Sequence, residues 1–326
     1  MKTALRFLLS IAVAAGLVAL LFHWTGTSAE EVGRTLVSLD LRVHAIALGI
    51  QAVIYPLRAL RLRALLPADA PSVPRLTGLS AAHILAANVL PAKLGEAALV
   101  VYLRRVGVPA TSGLAALLLS RLFDFAAVTG GLAVACLVMA ATGQYTDLDW
   151  LVPVGLLLFA PAVACAWASL HGQRLVGLAG RVLGGLGMAR TSLGSKALSF
   201  AERSGSALGA VSRRRLLRAA VVTVPIWVLV FGFYGVLARG FGVDVSFPVA
   251  VFGSGLAIVA TLLPLHGFAG FGVQDAGWVA GFTALGVGAD LATSSGLAAH
   301  VVYLVNIAAL GALGHIAMAA WARRDS

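Results

Sequence analysis

The stretch Asn88-Val-Leu-Pro-Ala-Lys-Leu-Gly-Glu96 interrupts an apolar segment that runs from about Leu76 to Leu103. The segment is long enough to cross a bilayer, but its middle carries an amide, a proline, a cation, a glycine and an anion. A charged residue at the centre of a membrane helix costs roughly 2.5 to 3.5 kcal/mol on insertion scales. The proline also leaves a carbonyl one turn upstream without its helical partner. We therefore predict a broken helix whose polar residues face protein or water, not lipid.

A second stretch in the C-terminal half has the same character. It reads Leu263-Pro-Leu-His-Gly-Phe-Ala-Gly-Phe-Gly-Val-Gln-Asp275 and also lies within an apolar segment, from Pro248 to about Gly286. Both breaks end in glycine followed shortly by an acid, at Gly95-Glu96 and at Gly272 to Asp275. Glycine and proline interruptions at matching places in two halves point to a binding site near the membrane midplane.

The composition is that of an integral membrane protein. Of 326 residues, 60% are hydrophobic and only 11% are charged, against about 25% charged in ordinary soluble domains. The formal charge of +11 does not indicate nucleic-acid binding, because the basic residues cluster at the ends of apolar spans, as the positive-inside rule expects. Cys136 and Cys165 lie within apolar spans and give neither a metal spacing nor a disulfide framework.

The apolar pattern predicts an all-α integral membrane protein with about six transmembrane helices plus two re-entrant broken-helix hairpins. A short loop is expected between the first two spans, and Arg58, Arg61, Arg63 and Arg75 are interpreted as marking the cytoplasmic end of the second. The six spans are expected at about residues 5–22, 43–60, 113–141, 151–170, 219–238 and 291–321, and the two hairpins at 76–103 and 248–286.

The flanking charges favour hairpins over simple crossings. Both flanks of the 76–103 segment are basic, so a hairpin keeps both in the cytoplasm, whereas a crossing would place one outside. The flanks of the second segment carry only Arg239, Asp244 and Asp290, which fits a hairpin that opens outward. Both termini are then expected in the cytoplasm.

The order of elements repeats with opposite orientation. Within a single membrane domain, 1–326, residues 1–141 read span, span, hairpin, span, and residues 151–322 repeat this order from the other side. This is the pattern of an inverted-topology repeat. Residues 171–218 form a basic cytoplasmic connection. That connection either simply obeys the positive-inside rule or also recruits anionic lipid headgroups.

The ordered motifs resemble the transmembrane region of the lysylphosphatidylglycerol synthase/flippase family. The first signature of that family is matched by Asn88, Pro91, Lys93, Gly95 and Glu96, followed by Ser120, Arg121 and Asp124. Its second signature is matched by Pro264, Gly267, Gly270, Gly272 and Asp275.

This sequence also departs from the family pattern. Lys93 replaces the usual Arg, Leu99 stands where many members carry an Arg, and Ser120 replaces the acid before Arg121. Lysine keeps the charge but loses the bidentate phosphate geometry of arginine, so these changes affect the expected headgroup preference more than the expected fold. The soluble aminoacyl-transferase domain of the synthases is absent from this sequence, which argues against aminoacyl-lipid synthesis.

The resemblance implies translocation of a lipid across the cytoplasmic (inner) membrane. The lipid would carry an anionic phospho-headgroup, as in polyprenyl-phosphate-linked sugars or aminoacylated phospholipids. Expected partners are membrane lipids and glycosyltransferases or other envelope-assembly enzymes, with no nucleic acid and no cofactor. No Gly-x-x-x-x-Gly-Lys-Ser/Thr motif suggests nucleotide use. The alternatives are a membrane enzyme acting on lipid phosphates and a non-transporting partner of a glycosyltransferase complex. The sequence has no recognisable nucleophile motif or Asp-rich metal motif, which argues against the enzyme.

The polar residues within the apolar segments are the candidate substrate-binding residues. Each also has a structural alternative: Lys93 or Arg121 as an ion-pair partner of Glu96, Asp275 as a helix cap, and the polar residues of the last span as interhelical hydrogen-bonding groups. Alternatively, Asp275 accepts a proton for coupling. The candidates are Asn88, Lys93, Glu96, Arg121, Asp124, His266, Asp275, His300, Tyr303 and Asn306.

Overall fold

A computed structural model describes residues 2–90, 94–142, 148–171, 174, 177, 181, 206, 208–261 and 268–323. Within these ranges the chain forms eleven α-helices and no β-strand, which confirms the predicted all-α fold class. The helices are α1 (Lys2–Thr25), α2 (Ala29–Val37), α3 (Leu41–Leu65), α4 (Val73–Val89), α5 (Leu94–Arg105), α6 (Ala110–Ala141), α7 (Leu151–Leu170), α8 (Arg213–Gly240), α9 (Phe247–Ala260), α10 (Val273–Thr283) and α11 (Ala289–Ala322).

The described helices include enough long apolar segments for a multi-pass membrane protein. Helices α3, α6, α7, α8 and α11 are each long and apolar enough to cross a bilayer. The part of α1 from Ile11 to Thr25, taken with α2, gives a sixth candidate span that is bent by 93°. This agrees with the predicted number of about six.

The predicted loop after the first span is wrong, because residues 29–37 form helix α2. The Ser28 hydroxyl accepts a hydrogen bond from the Glu31 amide at 3.2 Å, and the Glu31 carboxylate accepts one from the Ser28 amide at 2.7 Å. This reciprocal capping box satisfies two amides that a helix start otherwise leaves unpaired. Helix α2 packs against α11.

Helices α4 and α5 form the first re-entrant hairpin. A Cβ atom at Gly95 would overlap the backbone of Ala86, so the two helices approach backbone to backbone near their break. Arg75 near the start of α4 and Arg105 at the end of α5 line one groove together with Trp321. The two outer ends of the pair therefore lie on the same side of the molecule, as a hairpin requires.

Helices α9 and α10 form the second hairpin and also pack backbone to backbone. A Cβ atom at Gly281 would lie 2.5 Å from the Gly253 carbonyl oxygen, and one at Gly277 would lie 2.7 Å from the Cα atom of Ala257. From Gly281 to Gly277 the chain runs backward along α10, while the facing position runs forward along α9 from Gly253 to Ala257. The two helices are therefore antiparallel. The described part of the break is a 3₁₀ turn, Phe268–Gly270, followed by α10.

Three of the helix contacts connect the two halves of the chain. Helix α3 packs along α8, α4 packs along α11, and α9 packs along α6. Exchanging the halves converts the α3–α8 contact into itself and interchanges the other two, which is compatible with the predicted inverted-topology repeat. The repeat boundaries at 1–141 and 151–322 stay a prediction.

Two predicted boundaries need correction, both at arginine-rich helix ends. Helix α3 continues to Leu65, so Arg58 and Arg61 lie within the helix and do not mark a solvated flank. Arg61 is buried, because Asp124 on α6 pairs with its charge inside the protein. Helix α8 begins at Arg213, so the last residues assigned to the 171–218 connection belong to a helix.

Candidate functional site

A cavity of about 520 Å³ lies between the breaks of the two hairpins. The first hairpin contributes Asn88 and Leu90 to its wall, and the second contributes Thr261, Ala269 and Gly270. Both interrupted segments singled out in the sequence therefore meet at one chamber. The rest of the wall comes from other residues of the hairpins and from α3, α6, α8 and α11.

Helix α3 presents a polar stripe to this cavity. Gln51, Tyr55 and Arg58 all line it, at positions i, i+4 and i+7 of the helix. These positions lie above one another on one face of an α-helix. The stripe places a guanidinium group in the interior of a membrane-spanning helix.

Glu96 and Arg121 form an ion pair at the wall of the cavity. The carboxylate of Glu96, in the first turn of α5, accepts hydrogen bonds from Arg121 Nη2 at 2.6 Å and from Arg121 Nε at 3.1 Å. Arg121 Nη1 also donates to Asp124 Oδ2 at 3.2 Å, one turn along α6. Arg121 is thus already neutralised by two carboxylates. His83 lies behind them, with its Nε2 3.8 Å from Glu96 Oε2.

Asp124 is the centre of a buried hydrogen-bond network. Arg61 binds it in a bidentate manner, with Nη1 2.6 Å from Oδ1 and Nη2 3.2 Å from Oδ2. Trp227 Nε1 donates to Oδ1 at 2.9 Å, and Thr223 Oγ1 accepts from Arg61 Nη1 at 3.3 Å. A buried ion pair of this kind is retained only with good geometry and further hydrogen bonds, and both are present here. The network joins α3, α6 and α8.

Arg58 differs from the other two arginines beside the cavity. Across the described ranges, no hydrogen bond or ion pair joins its guanidinium group to another residue. Its charged neighbours are Asp124, Arg61 and Arg121. Since two carboxylates, Glu96 and Asp124, face three guanidinium groups, this part of the cavity has an excess positive charge.

The second hairpin break is held by Asp275 and His300. Asp275 Oδ2 accepts a hydrogen bond from the Gly272 amide at 2.8 Å, so Asp275 caps the start of α10. Its Oδ1 lies 2.9 Å from His300 Nδ1 on α11, and His300 Nε2 lies 3.0 Å from the carbonyl oxygen of Ala269. The ring of Phe271 stacks on His300 at a centroid distance of 4.3 Å.

The last helix also reaches the first hairpin. Asn88 Nδ2 donates to the Tyr303 hydroxyl at 3.2 Å and to the Ile84 carbonyl at 2.9 Å. Tyr303 lines the cavity, one turn from His300. Asn306 is buried one turn further on, and its Nδ2 has no hydrogen-bond partner among the residues that are described.

The structure brings most of the candidate residues to the cavity or directly behind it. Asn88, Glu96, Arg121, Asp124 and Tyr303 line the cavity. Asp275 and His300 lie behind the wall formed by Ala269 and Gly270. Lys93 and His266 lie outside the described residues, as do Pro91, Pro264 and Gly267 of the two signatures.

A family model described as lysylphosphatidylglycerol synthase TM region matches residues 7–311. The chain belongs to this family. Membership, together with the apolar helices, establishes a multi-pass membrane protein and indicates a lipid-related function. No curated protein matches the chain.

In this family member, three residues of the site are not among those predicted from the sequence: Arg58, Arg61 and Trp227. The positive-inside rule led us to interpret both arginines as flanking residues. The signal that identifies Arg58 is the i, i+4, i+7 stripe with Gln51 and Tyr55, which is a helical face and not a solvated end. No group of three or more His, Cys, Asp and Glu side chains in the described ranges is arranged to hold a metal ion.

Proposed function

We propose that this protein is a flippase that translocates a lipid with an anionic phospho-headgroup across the cytoplasmic membrane. The lipid is a polyprenyl-phosphate-linked sugar or a related phospholipid. The headgroup enters the cavity between the two hairpin breaks, while the acyl or polyprenyl tail stays in the bilayer. The two halves then rock around the cavity and open it to either side, as in other proteins with inverted repeats.

The guanidinium group of Arg58 is the observation that carries this proposal. An ionised arginine in a membrane interior is costly unless it is paired, and such residues mark substrate pathways by default. Arg61 and Arg121 already have carboxylate partners, whereas Arg58 has none in the described part of the chain. A phosphate oxygen of the headgroup would supply the missing anion, because a guanidinium group binds phosphate through parallel hydrogen bonds.

The rest of the wall suits the remainder of a lipid headgroup. The lining residues also include the apolar side chains of Ile84, Leu117, Leu118 and Phe125. Asn88 and Tyr303, at the first break, are amide and hydroxyl groups suited to sugar or glycerol oxygens. Most ligand cavities combine such an apolar lining with a few polar groups that fix orientation.

The roles of the other charged residues follow from their pairing. In this proposal Glu96 and Asp124 hold Arg121 and Arg61 in place, and Arg58 is the main phosphate ligand. Lys93, which belongs to the interrupted stretch of the sequence, is proposed as a second positive charge for the headgroup. The positive-inside rule supports an inner-membrane topology with both termini on the cytoplasmic side, where glycosyltransferases or other envelope-assembly enzymes would supply the lipid.

The test is headgroup translocation in proteoliposomes. The panel contains a labelled polyprenyl-phosphate sugar, an aminoacyl phosphatidylglycerol and plain phosphatidylglycerol. Wild type is compared with Arg58→Gln at equal amounts of reconstituted protein. Arg63→Gln is the matched control, because Arg63 lies on the same helix but donates only to the backbone carbonyls of Pro67 and Ala68.

We expect one lipid to move with wild type and with Arg63→Gln, and its rate at subsaturating lipid to fall about ten- to one-hundred-fold with Arg58→Gln. Hydrogen bonds to a charged group contribute about 1.5 to 3 kcal/mol, and each 1.4 kcal/mol is roughly a factor of ten. Equal rates for the two variants would refute the role of Arg58. Chemical alteration of a lipid without movement would indicate an enzyme. If no lipid is moved or chemically altered, the result would favour a non-transporting partner of a glycosyltransferase complex.

A further inference from the structure

The hydrogen-bonding atoms around His300 require one proton more than a neutral imidazole and an ionised carboxylate can supply. The Ala269 carbonyl oxygen can only accept, so His300 Nε2 must carry a hydrogen to bind it at 3.0 Å. His300 Nδ1 lies 2.9 Å from Asp275 Oδ1, and a hydrogen must lie between these two atoms as well. Either the imidazole is doubly protonated, or Asp275 is protonated and donates to Nδ1.

This shared proton lies where a carboxylate and an imidazole are both shielded from water. The side chain of His300 is 1% exposed and that of Asp275 is 2% exposed. His300 lies about 17 Å along α11 from its first residue, well inside the span. Buried charges persist in membranes when they are paired, and such Asp and His groups commonly serve as proton sites.

Removal of the proton would loosen the break. A neutral imidazole and an ionised Asp275 leave one ring nitrogen with a lone pair that faces either the Asp275 carboxylate or the Ala269 carbonyl. One of the two contacts then becomes repulsive, whichever tautomer forms. Ala269 is the residue most affected, because its positive φ of 54° is unfavourable for a residue with a side chain. In the tautomer that keeps its hydrogen on Nδ1, the Ala269 carbonyl loses the hydrogen bond that holds it.

No other charged group in the described ranges provides an ion-pair partner for the dyad. The elements packed against the break are α1, α4, α9 and α11, and Tyr234 approaches from α8 through its hydrogen bond with Gln274 at 3.4 Å. Helix α1 places Leu17 against Gly272, and α9 has no titratable residue. On α4, His83 faces Glu96; on α11, Tyr303 binds Asn88.

We propose that Asp275 and His300 form the proton-coupling site of this protein. The pair binds one proton from one side of the membrane when the second hairpin is closed over the cavity. It releases this proton when the break between Ala269 and Gly272 opens. Since Ala269 and Gly270 line the cavity, the proton and the headgroup act on the same segment. The coupling rests on the proposed translocation; the location of the proton does not.

The location of the proton is tested first, in lipid nanodiscs without any substrate. The ¹⁵N spectrum of histidine-labelled His300→Gln is subtracted from that of wild type. The difference gives the protonation state of the two ring nitrogens of His300. The infrared spectrum of wild type minus that in Asp275→Asn shows whether Asp275 is protonated. We expect either two protonated ring nitrogens or a protonated carboxyl group. A ring with one bare nitrogen beside an ionised Asp275 overturns the proposal.

The coupling is tested by translocation under a pH gradient of one unit, applied in either direction. With one proton per lipid, reversing the gradient changes the steady-state lipid distribution in wild type, by up to about tenfold for each unit. The double variant D275N/H300Q provides matching donors and acceptors but no titratable group, and we expect it to lose the gradient dependence. His315→Gln, on the same helix but bonded to Gly311 and Tyr102, should keep it.

The outcomes separate the two proposals. Equal lipid distribution under both gradients in wild type overturns the coupling and leaves the flippase proposal standing. Gradient dependence that persists in the double variant overturns the assignment to this pair. If wild type moves no lipid of the panel under any gradient, the proposed function fails and the coupling with it. The spectra still decide whether the pair holds the proton.

Discussion

Replacement of Arg61 by methionine should strongly destabilise the protein without touching the cavity wall. Methionine retains most of the volume of the arginine stem but removes both hydrogen bonds to Asp124, at 2.6 and 3.2 Å. The side chains of the pair are only 4% and 8% exposed, so water cannot replace the lost partner. Removing one partner of a buried pair costs about 3 to 5 kcal/mol.

The remaining partners of Asp124 place the expected loss at the lower end of that range, about 3 kcal/mol. Trp227 still donates at 2.9 Å and Arg121 at 3.2 Å, so the carboxylate keeps part of its compensation. The loss should nevertheless exceed that of an ordinary interhelical hydrogen bond in a membrane, which averages about 0.6 kcal/mol. The difference arises because a charge, not a dipole, loses its partner.

The assay is equilibrium unfolding by SDS in mixed micelles, with Arg63→Met as the control. Arg63 donates to two backbone carbonyls near the surface, so its replacement should cost less than about 1 kcal/mol. The double variant Arg61→Met with Asp124→Leu should recover most of the stability, because both charges of this buried pair are removed together. If Arg61→Met is no more destabilising than Arg63→Met, the buried network is not what holds α3, α6 and α8 together.

Three further substitutions test the packing of the hairpins and of the network. Gly281→Ala places a Cβ atom 2.5 Å from the facing backbone of α9 and should lower the unfolding free energy by about 1 to 3 kcal/mol in the same assay. Gly232→Ala is the control, because Gly232 has open space around it, and it should be neutral or slightly stabilising. Gly95→Ala forces α5 away from the backbone of α4, so the fraction eluting as folded protein in size-exclusion chromatography should fall below that of Gly232→Ala; equal fractions would mean the first hairpin is not tightly packed. Trp227→Phe removes one donor to Asp124 and should lower the unfolding free energy by about 1 to 2 kcal/mol; no change would show that this hydrogen bond is dispensable.

The breaks in the two hairpins could be predicted because they depend on local chemistry. Proline, glycine and charge within an apolar segment are incompatible with an unbroken lipid-facing helix, whatever the tertiary structure. The all-helical fold followed from the apolar pattern and the family from the motifs at the breaks, and both are confirmed. The pairing of Arg121 with Glu96 was weighed as an alternative for the same reason, since both charges had to be compensated inside the membrane.

The contacts that depend on tertiary structure could not be predicted in this way. The sequence alone indicates that Arg61 flanks the span on the cytoplasmic side, because an arginine near a helix end is compatible with solvent or with a buried ion pair. Only the position of Asp124 opposite Arg61 identifies the buried pair. Asp275 and His300 were both candidates, but their pairing depends on how α11 packs against α10. Helix α2 was missed for a different reason: its Ser28-x-x-Glu31 signature was present, but the apolar pattern alone was used to find helices.

The position of Tyr303 and His300 on adjacent turns of α11 bears on the timing of the two hairpins. Tyr303 binds Asn88 at 3.2 Å at the first break, and His300 binds Asp275 at 2.9 Å at the second. A displacement of α11 by about 1 Å would stretch both contacts beyond hydrogen-bond distance. Movement of this one helix would therefore release both breaks in synchrony, and a state with only one break released requires a hairpin to move by itself.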